Sequence, residues 1–421
     1  MVDYDLAVIG MSANAFKLVN LAIKSSARVA WIWDRQVSDN YLNVAEAHHV
    51  FQQLIVSLSN QLPLEGRPER QHLFANNIAP FLSKYRLDEI LENIPKSGVD
   101  VILGKCRFRE KLQDLHVLEI NKDDPKAALS EENPSRQILT AHIYAIAYDQ
   151  PTFLPKIFGL MEHDYLTATQ LLQLQDLPNS IAVLGGDADA CAIAQSLNFL
   201  GVHTSLITNS LHILPEVDVA IARTLQAQLE AEGVEIYTNT QITAVSYTKH
   251  RRSKIWLDNQ ILECDRLLIP VEPIDLAIPR DRGIYQVHSQ ADIDLILQKV
   301  SQRNSFWKSK SISKPAITFV PTNPPLAQIG MTELAAQQQK LKSICILESA
   351  STNLGLCKII CNHQGLILGA SMVGDNAKIV IEAIAIAMQG KVKVQDLSIL
   401  EDMQFSRYSL PSEELAIPLK K

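Results

Sequence analysis

Two segments of the chain have the residue types and spacing of a turn that binds a dinucleotide. Residues 10–15 (GMSANA) end the apolar run DLAVIG and start a helical pattern, and residues 185–190 (GGDADA) follow the run SIAVL. A dinucleotide site needs Gly-x-Gly-x-x-Gly at the start of a helix, so that backbone N–H groups can approach the pyrophosphate. In the first segment Ser12 replaces the middle glycine and Ala15 the third. Because Ser12 still carries a hydrogen-bond donor, this half of a nucleotide site is damaged but not excluded.

The second segment is the poorer of the two because Asp187 stands where the backbone must approach a pyrophosphate. A carboxylate close to a phosphate in a semi-buried site is unfavourable unless it is protonated or bound to a metal. The next strand ends in LITNS, without a charged residue that would select a ribose or its phosphate. We therefore expect no NAD(P) here, and packing alone explains the unit. A cation site formed by Asp187 and Asp189 stays open.

Other chemistry-bearing residues favour packing. Cys357 and Cys361 are four residues apart in a strand pattern, so they point to one face but are too far apart for a disulfide. His48 and His49 stand near Glu46, but adjacent histidines on a helix diverge too far to chelate one ion unaided. We predict no metal site.

The surrounding pattern predicts the elements that position the glycine segments. DLAVIG, a helical stretch and RVAWIW form a strand–helix–strand unit within about 30 residues, which indicates a parallel sheet. The same order returns with SIAVLGG, a helical stretch and VHTSLIT. The last hundred residues alternate like antiparallel strands and then contain the apolar helical stretch NAKIVIEAIAIAMQG, which is typical of an α+β module.

Composition limits the class of protein. The chain has 421 residues, 47% of them hydrophobic, and a net charge of −7, which suits several packed domains and opposes binding to nucleic acid. No apolar run approaches the ~18 residues of a transmembrane segment. Six cysteines without a paired framework suit a reducing compartment, so we predict a cytoplasmic protein.

The C-terminal segments carry a family resemblance. PTNPPLAQIGMTELAA and GLCKIICNHQGLILGASMVGDNAKIVIEAIAIAM resemble the last domain of the flavoprotein disulfide reductases, the group of glutathione reductase, lipoamide dehydrogenase and mercuric reductase. The resemblance covers nearly the whole chain and implies an α/β fold with two Rossmann-like dinucleotide-binding-type domains plus an α+β C-terminal dimerisation domain. It implies a homodimer and places an FAD-type domain at residues 1–153 and 283–312, an inserted NAD(P)-type domain at 154–282 and the dimerisation domain at 313–421.

The same resemblance implies that the redox centre is lost. The family motif Cys-x-Asn-x-Gly-Cys falls on residues 41–46 (YLNVAE), so Tyr41 and Glu46 stand at the two cysteine positions. The family pair His-x-x-x-x-Glu falls on Tyr408 and Glu413, so the glutamate is retained and the histidine is not. Without thiolates and imidazole, disulfide reduction is not expected.

The family's flavin contacts also differ in this chain. The acidic residue that should end the second strand is replaced by Trp33, with Asp34 after it. The Ala-Thr-Gly turn falls on residues 147–149 (AYD), and the Gly-Asp pair falls on His288 and Ser289. We therefore predict that no cofactor is bound. If FAD does bind, the residues expected to hold it are Gly10, Ser12, Ala15 and Asp34.

These features predict a pseudoenzyme, a homodimeric scaffold, assembly factor or regulator with a protein partner of unknown identity. The alternative is a diverged FAD-dependent oxidoreductase without disulfide chemistry, in which Tyr41 and Glu46 act as proton donor and acid/base. A third hypothesis is a sensor that binds a small ligand in the vacated nucleotide cleft.

Overall fold

The computed structural model describes most of the chain in two compact units. The described residues are 2–10, 12–33, 99–112, 115–122, 136–147, 156–160, 163–172, 174, 176–258, 260–270, 281, 283–287, 290–304, 317–339, 344–351, 355–397 and 406–410. Unit 1 comprises Met1–Ala47, Asn77–Pro155 and Val271–Lys314, and unit 2 comprises His48–Asn76, Lys156–Pro270 and Pro315–Lys421.

Strands alternate with helices in residues 4–33 and again in residues 168–237. The strands are β1 (Tyr4–Ile9), β2 (Val29–Trp33), β3 (Val99–Leu112), β4 (Leu115–Lys122), β5 (Arg136–Ile146), β6 (Ser180–Leu184), β7 (His203–Ile207), β8 (Glu235–Tyr237), β9 (Ile242–Tyr247), β10 (Ser253–Leu257), β11 (Ile261–Cys264), β12 (Arg266–Leu268), β13 (Ile284–Gln286), β14 (Ile317–Val320), β15 (Leu326–Gly330), β16 (Ile344–Ser351), β17 (Gly355–Asn362), β18 (Ile367–Val373) and β19 (Ser406–Leu410). The helices are α1 (Ala13–Lys24), α2 (Ala168–Leu172), α3 (Ala188–Phe199), α4 (Val219–Glu232), α5 (Gln290–Asn304), α6 (Glu333–Gln338) and α7 (Ala377–Gln389).

Unit 1 is built on a parallel sheet. Strand β1 lies between β2 and β5 and is parallel to both, β3 continues the sheet beyond β2, and β13 continues it beyond β5. Strands β3 and β5 also pair with β4 in an antiparallel ladder over their other halves. Helices α1 and α5 pack on one face of the parallel sheet. The buried core on that face includes Leu6, Val8, Leu18, Val19, Trp31, Trp33, Ile293 and Ile296.

Unit 2 contains a second parallel sheet and an antiparallel one. The parallel sheet has the order β12-β6-β7-β8, and helix α3 connects β6 to β7. Strands β9, β10 and β11 form a small antiparallel sheet beside it. The C-terminal sheet has the order β14-β15-β18-β17-β16-β19 with antiparallel pairing throughout. The predicted mixture of two strand–helix–strand domains and an α+β module is therefore confirmed.

Helix α7 covers one face of the C-terminal sheet. Its buried side chains pack with strand residues in a core that includes Ala327, Ile359, Met372, Val380, Ile381 and Ile384. Gly369 is needed where β18 passes the turn after β15, because a Cβ atom there would lie 2.0 Å from the Met331 carbonyl oxygen. None of the described helices is long and apolar enough to cross a membrane.

A buried ionic cluster joins α4 and α6 to the C-terminal sheet within unit 2. The Lys358 Nζ atom lies 3.1 Å from Asp218 Oδ1 and also contacts the Glu333 carboxylate. The side chains of Lys358 and Asp218 are 5% and 2% exposed. Burial alone lowers the pKa of Lys358, but the hydrogen bond to Glu333 and the charge of Asp218 outweigh it, so the net pKa is raised and the amine stays charged.

Further hydrogen bonds complete this cluster. Asp218 caps the start of α4 by accepting from the Ala220 N–H, and its own N–H donates to Gln328 Oε1 at 2.8 Å. Ser371 Oγ donates to the same Gln328 oxygen, and Gln328 Nε2 donates to the Glu216 carbonyl oxygen at 2.9 Å. Each buried polar atom named here has a partner, as polar groups need in a low-dielectric interior.

We expect the Lys358→Met variant to lose about 3–5 kcal/mol of unfolding free energy, because it leaves two carboxylates in a buried site without their cation. Chemical denaturation of the purified protein measures this loss. The matched control is Lys17→Met on the exposed face of α1, which should change stability by less than about 0.5 kcal/mol. Equal effects of the two substitutions would contradict the stabilising role of the cluster.

Candidate functional site

The turn between β1 and α1 has the backbone geometry of a nucleotide-binding loop. Gly10 has a φ of 108°, a conformation that side chains disfavour, and its N–H donates to the Ile32 carbonyl oxygen at 2.8 Å. The buried Ser12 is the N-cap of α1, and its Oγ accepts from the Ala15 N–H at 2.9 Å. The turn therefore presents a helix N-terminus at the carboxyl end of a parallel strand, capped by a neutral hydroxyl.

This arrangement suits an anion. A helix N-terminus carries partial positive charge and free N–H groups, and ligands of open α/β sheets bind beyond the carboxyl ends of the strands. The Ser12 oxygen accepts one N–H from inside the turn, and this neutral cap adds no negative charge to the site. The structure thus brings together Gly10, Ser12 and Ala15, whereas Asp34 lies outside the described residues.

Two tryptophans fill the end of β2 beside this turn. Trp31 Nε1 donates to the Gly10 carbonyl oxygen at 2.8 Å, and the Trp31 and Trp33 rings meet edge to face with centroids 4.7 Å apart. Trp33 is 1% exposed, and its Nε1 has no hydrogen-bond partner in the described part of the chain. The sequence placed Trp33 at a ribose-binding position, but only the structure shows its unused donor.

The second turn, between β6 and α3, packs more tightly against neighbouring segments than the first turn does. Gly185 has a φ of 142°, and its N–H donates to the Ile207 carbonyl oxygen. A Cβ atom on Gly186 would lie 2.6 Å from Thr208 Oγ1, so the loop packs directly on the end of β7. The Leu214 N–H donates to the Gly186 carbonyl oxygen at 2.5 Å. The segment after β7 therefore holds this loop in place through Leu214.

Asp187 occupies the start of α3. Its Oδ1 accepts from the Ala190 N–H at 2.8 Å, so a carboxyl group takes the position that Ser12 takes in the first turn. The residue as a whole is exposed, yet the protein around the carboxyl group removes enough water to raise its pKa. Hydrogen bonds from the Ala190 and Asp189 backbone lower that pKa, Glu216 raises it, and the net change is upward.

No metal centre is evident among the residues that the structure describes, since no group of three or more histidine, cysteine or acidic side chains converges there. In the described part of the chain, Asp187 and Asp189 are not joined by a third such side chain. His48, His49 and Glu46 lie outside the described residues.

The described cysteines are thiols in packed surroundings. Burial raises the pKa of Cys264 to about 11 and that of Cys357 to about 12, and it raises the pKa of Cys191 well above its usual range. Cys361 is also buried, as the strand spacing predicted for it and Cys357. A thiolate is the reactive form of cysteine, so the three thiols with raised pKa are inert at neutral pH.

Of the residues expected at the redox centre, Tyr408 is the one in the described part of the chain. Tyr41, Glu46 and Glu413 lie outside the described residues. Tyr408 is in β19, where its backbone pairs with Ile346 of β16. The predicted loss of the redox centre therefore stays a prediction from the sequence.

Comparison with known proteins identifies the family. Residues 4–275 match the model of the pyridine nucleotide-disulphide oxidoreductases, and residues 315–400 match the model of the dimerisation domain of the same family. Mercuric reductase of Bacillus cereus is 24% identical over 94% of this chain and 68% of its own length, and that of Staphylococcus aureus is 24% identical over 94% and 79%. Dihydrolipoyl dehydrogenase of Chlamydia pneumoniae is 24% identical over 54% of this chain and 58% of its own.

Solved structures show the same fold at lower identity. The flavoprotein disulfide reductase RclA from Escherichia coli superposes with a TM-score of 0.71 at 18% identity, over 96% of each chain. LpdA from Mycobacterium tuberculosis superposes with a TM-score of 0.69 at 17% identity, over 93% of this chain and 94% of its own.

These matches correct one prediction and settle the family. The prediction that no cofactor is bound, with NAD(P) not expected, is wrong. The matched family is named for the pyridine nucleotide that its members use, and RclA is a flavoprotein. The prediction gave too much weight to single substitutions in the glycine motif, because the Gly10 turn keeps its left-handed backbone and Ser12 caps the start of α1. The first matched model covers more than half of the chain, and with the matched dimerisation domain it shows that the chain belongs to the pyridine nucleotide-disulphide oxidoreductase family.

Proposed function

We propose that the chain is an FAD-containing oxidoreductase that takes electrons from a reduced pyridine nucleotide and passes them to an acceptor other than a disulfide. The observation that carries this proposal is the turn at Gly10, with its neutral Ser12 cap at the start of α1. Gly10, Ser12 and Ala15 would hold the pyrophosphate of FAD. Asp34, outside the described residues, is a further candidate. When bound, FAD supplies the redox chemistry, and the protein supplies binding and orientation.

The cysteines support an acceptor other than a disulfide. The first cysteine of the chain is Cys106, so residues 41–46, where the family motif falls, contain no sulfur. Cys191, Cys264 and Cys357 are buried, with raised pKa values, and offer no thiolate. Tyr41 and Glu46 are the candidates for proton transfer in place of the dithiol.

A substitution that introduces one negative charge at the first turn tests the proposed cofactor site. The Ser12→Asp variant should lose FAD, because it places a carboxylate where the pyrophosphate must lie, whereas aspartate still caps a helix. Ser12→Asn is the matched control, with nearly the same size and no charge. The measurement is the visible flavin absorbance of protein purified by gel filtration after incubation with FAD, followed by NAD(P)H-dependent reduction of ferricyanide.

We expect wild type to retain flavin and to reduce ferricyanide but not oxidised glutathione or lipoamide. Ser12→Asn should retain more flavin than Ser12→Asp. A colourless wild-type protein that refuses added FAD would exclude this function, and so would reduction of lipoamide at a rate similar to that of the dye.

A second candidate is a pseudoenzyme that keeps its cofactor and acts as a scaffold or regulator. Asp187 favours it, because an acidic side chain at the start of α3 weakens the pyridine nucleotide site of an otherwise intact fold. Flavin absorbance without turnover of any electron acceptor would support this candidate over the first.

Asp187 should make nucleotide binding depend on pH. A raised carboxyl pKa means that the neutral form persists to higher pH than usual, and the repulsion of phosphate grows as the pH rises through that pKa. We expect Asp187→Asn to bind NADH or NADPH about threefold to tenfold more tightly at neutral pH and to show little pH dependence. Titration of nucleotide fluorescence between acid and alkaline pH measures both effects.

The sign of the stability effect follows from the same pKa. A group with a raised folded-state pKa stabilises the fold fully below its unfolded value, and this contribution is lost as the pH rises through the folded value. Asp187→Asn should therefore gain stability relative to wild type as the pH rises. Asp189→Asn, two residues further along, is the control and should leave the pH dependence of nucleotide binding in place. A pH profile unchanged in Asp187→Asn would contradict this role.

We also propose a cytoplasmic homodimer, with the domain bounds expected from the sequence. The matched dimerisation domain supports the dimer, and so does helix α7, where Ile379 and Ile386 are seven residues apart on one face and 62% and 72% exposed. Two large apolar side chains on one exposed helix face are typical of an interface.

Charge on that helix face should dissociate the dimer. Ile386→Lys should shift the protein towards monomer, because it would bury an unpaired cation in the interface. Sedimentation velocity measures the oligomeric state. Ile138→Lys is the control, since Ile138 is 61% exposed on β5 in unit 1. An Ile386→Lys protein with the wild-type sedimentation coefficient would remove α7 from the interface.

A further inference from the structure

Trp33 has a buried hydrogen-bond donor that nothing in the described chain uses. The side chain is 1% exposed, and the Nε1 atom is both buried and without a hydrogen-bond partner among the described residues. The indole N–H can only donate, so the partner that satisfies it must be an acceptor. A buried donor without a partner is costly, and such groups in folded proteins call for an explanation.

The position of Trp33 indicates what that acceptor is. Trp33 ends β2, and the neighbouring strand β1 leads directly into the Gly10 turn. The Trp33 ring contacts Trp31, whose own N–H is bonded to the Gly10 carbonyl oxygen. In a dinucleotide site of this fold, the ribose of the adenosine lies beside the end of the second strand.

The neighbouring tryptophan shows why Trp33 is the one available. Trp31 has the same residue type and lies on the same face of β2, two residues earlier, but its donor already serves the backbone of the turn. Trp31 therefore fixes the Gly10 turn, whereas Trp33, in edge-to-face contact with Trp31, has a donor that no described residue accepts.

We propose that the Trp33 Nε1–H donates a hydrogen bond to a ribose hydroxyl oxygen of the adenosine of FAD. This inference rests on the proposed function, since it requires FAD at the start of α1. An acidic residue at this strand end accepts hydrogen bonds from ribose. Trp33 reverses the direction, so the ribose oxygen is the acceptor in this chain.

The Trp33→Phe variant tests the bond because it keeps an aromatic ring at this position and removes the donor. We expect its FAD dissociation constant to rise about threefold to tenfold, the effect of losing one neutral hydrogen bond. In the FAD-free variant the smaller ring also loses core packing, so FAD affinity relative to wild type, and not the melting temperature, reports on the bond. Trp256→Phe in β10 of unit 2 is the matched control and should leave FAD affinity unchanged.

A second measurement uses wild-type protein and does not depend on the variant's folding. The chain has four tryptophans, so nitrogen-15 labelling yields four indole N–H resonances, and the resonance missing from Trp33→Phe identifies Trp33. On addition of FAD, that resonance should move downfield and its exchange with water should slow, as expected for a newly formed hydrogen bond.

The outcomes separate this inference from the proposed function. Wild type that binds no FAD refutes the proposed function and this bond with it. Wild type that binds FAD, with equal affinity in Trp33→Phe and an unmoved Trp33 resonance, refutes the bond alone. A lower melting temperature of FAD-free Trp33→Phe with unchanged FAD affinity would show a packing role and would also overturn the inference.

Discussion

The start of a buried helix imposes the requirement on which both nucleotide turns depend, because its first N–H groups need acceptors that the helix itself cannot supply. In the first turn Ser12 meets one of them with a neutral hydroxyl, and in the second Asp187 does so with a carboxyl group. Both caps hold a helix at the end of a parallel strand. They differ in what they leave for a ligand, since only the neutral cap adds no repulsion to an incoming phosphate.

The fold was largely predictable because its signals are local. A strand, a glycine turn and a helix follow one another in each Rossmann-type unit, and the C-terminal strands alternate with period two. The positions of Gly10, Ser12 and Ala15 followed from the same local pattern. The buried Lys358 cluster did not, because Lys358 and Asp218 are 140 residues apart, and no sequence periodicity links them.

The cofactor prediction failed for a physical reason that the sequence conceals. A residue type fixes the charge of an ordinary side chain but not its pKa, and the protein around Asp187 raises the pKa of its carboxyl group through desolvation. Trp33 illustrates the same limit from the opposite side. In the sequence, Trp33 is a largely apolar residue at a position where the family has an acidic one. Only the structure shows that its indole N–H has no acceptor among the described residues.

The ionic cluster of Lys358, Asp218 and Glu333 also constrains how this chain can evolve. Removing one member leaves an unpaired charge buried in the interior, which lowers stability. Replacing all the members together by apolar residues of similar volume often leaves stability unchanged or raises it. The first substitution on that route is therefore the unfavourable one. This epistasis should make the three residues persist or disappear as a set, while exposed positions outside the cluster change one at a time.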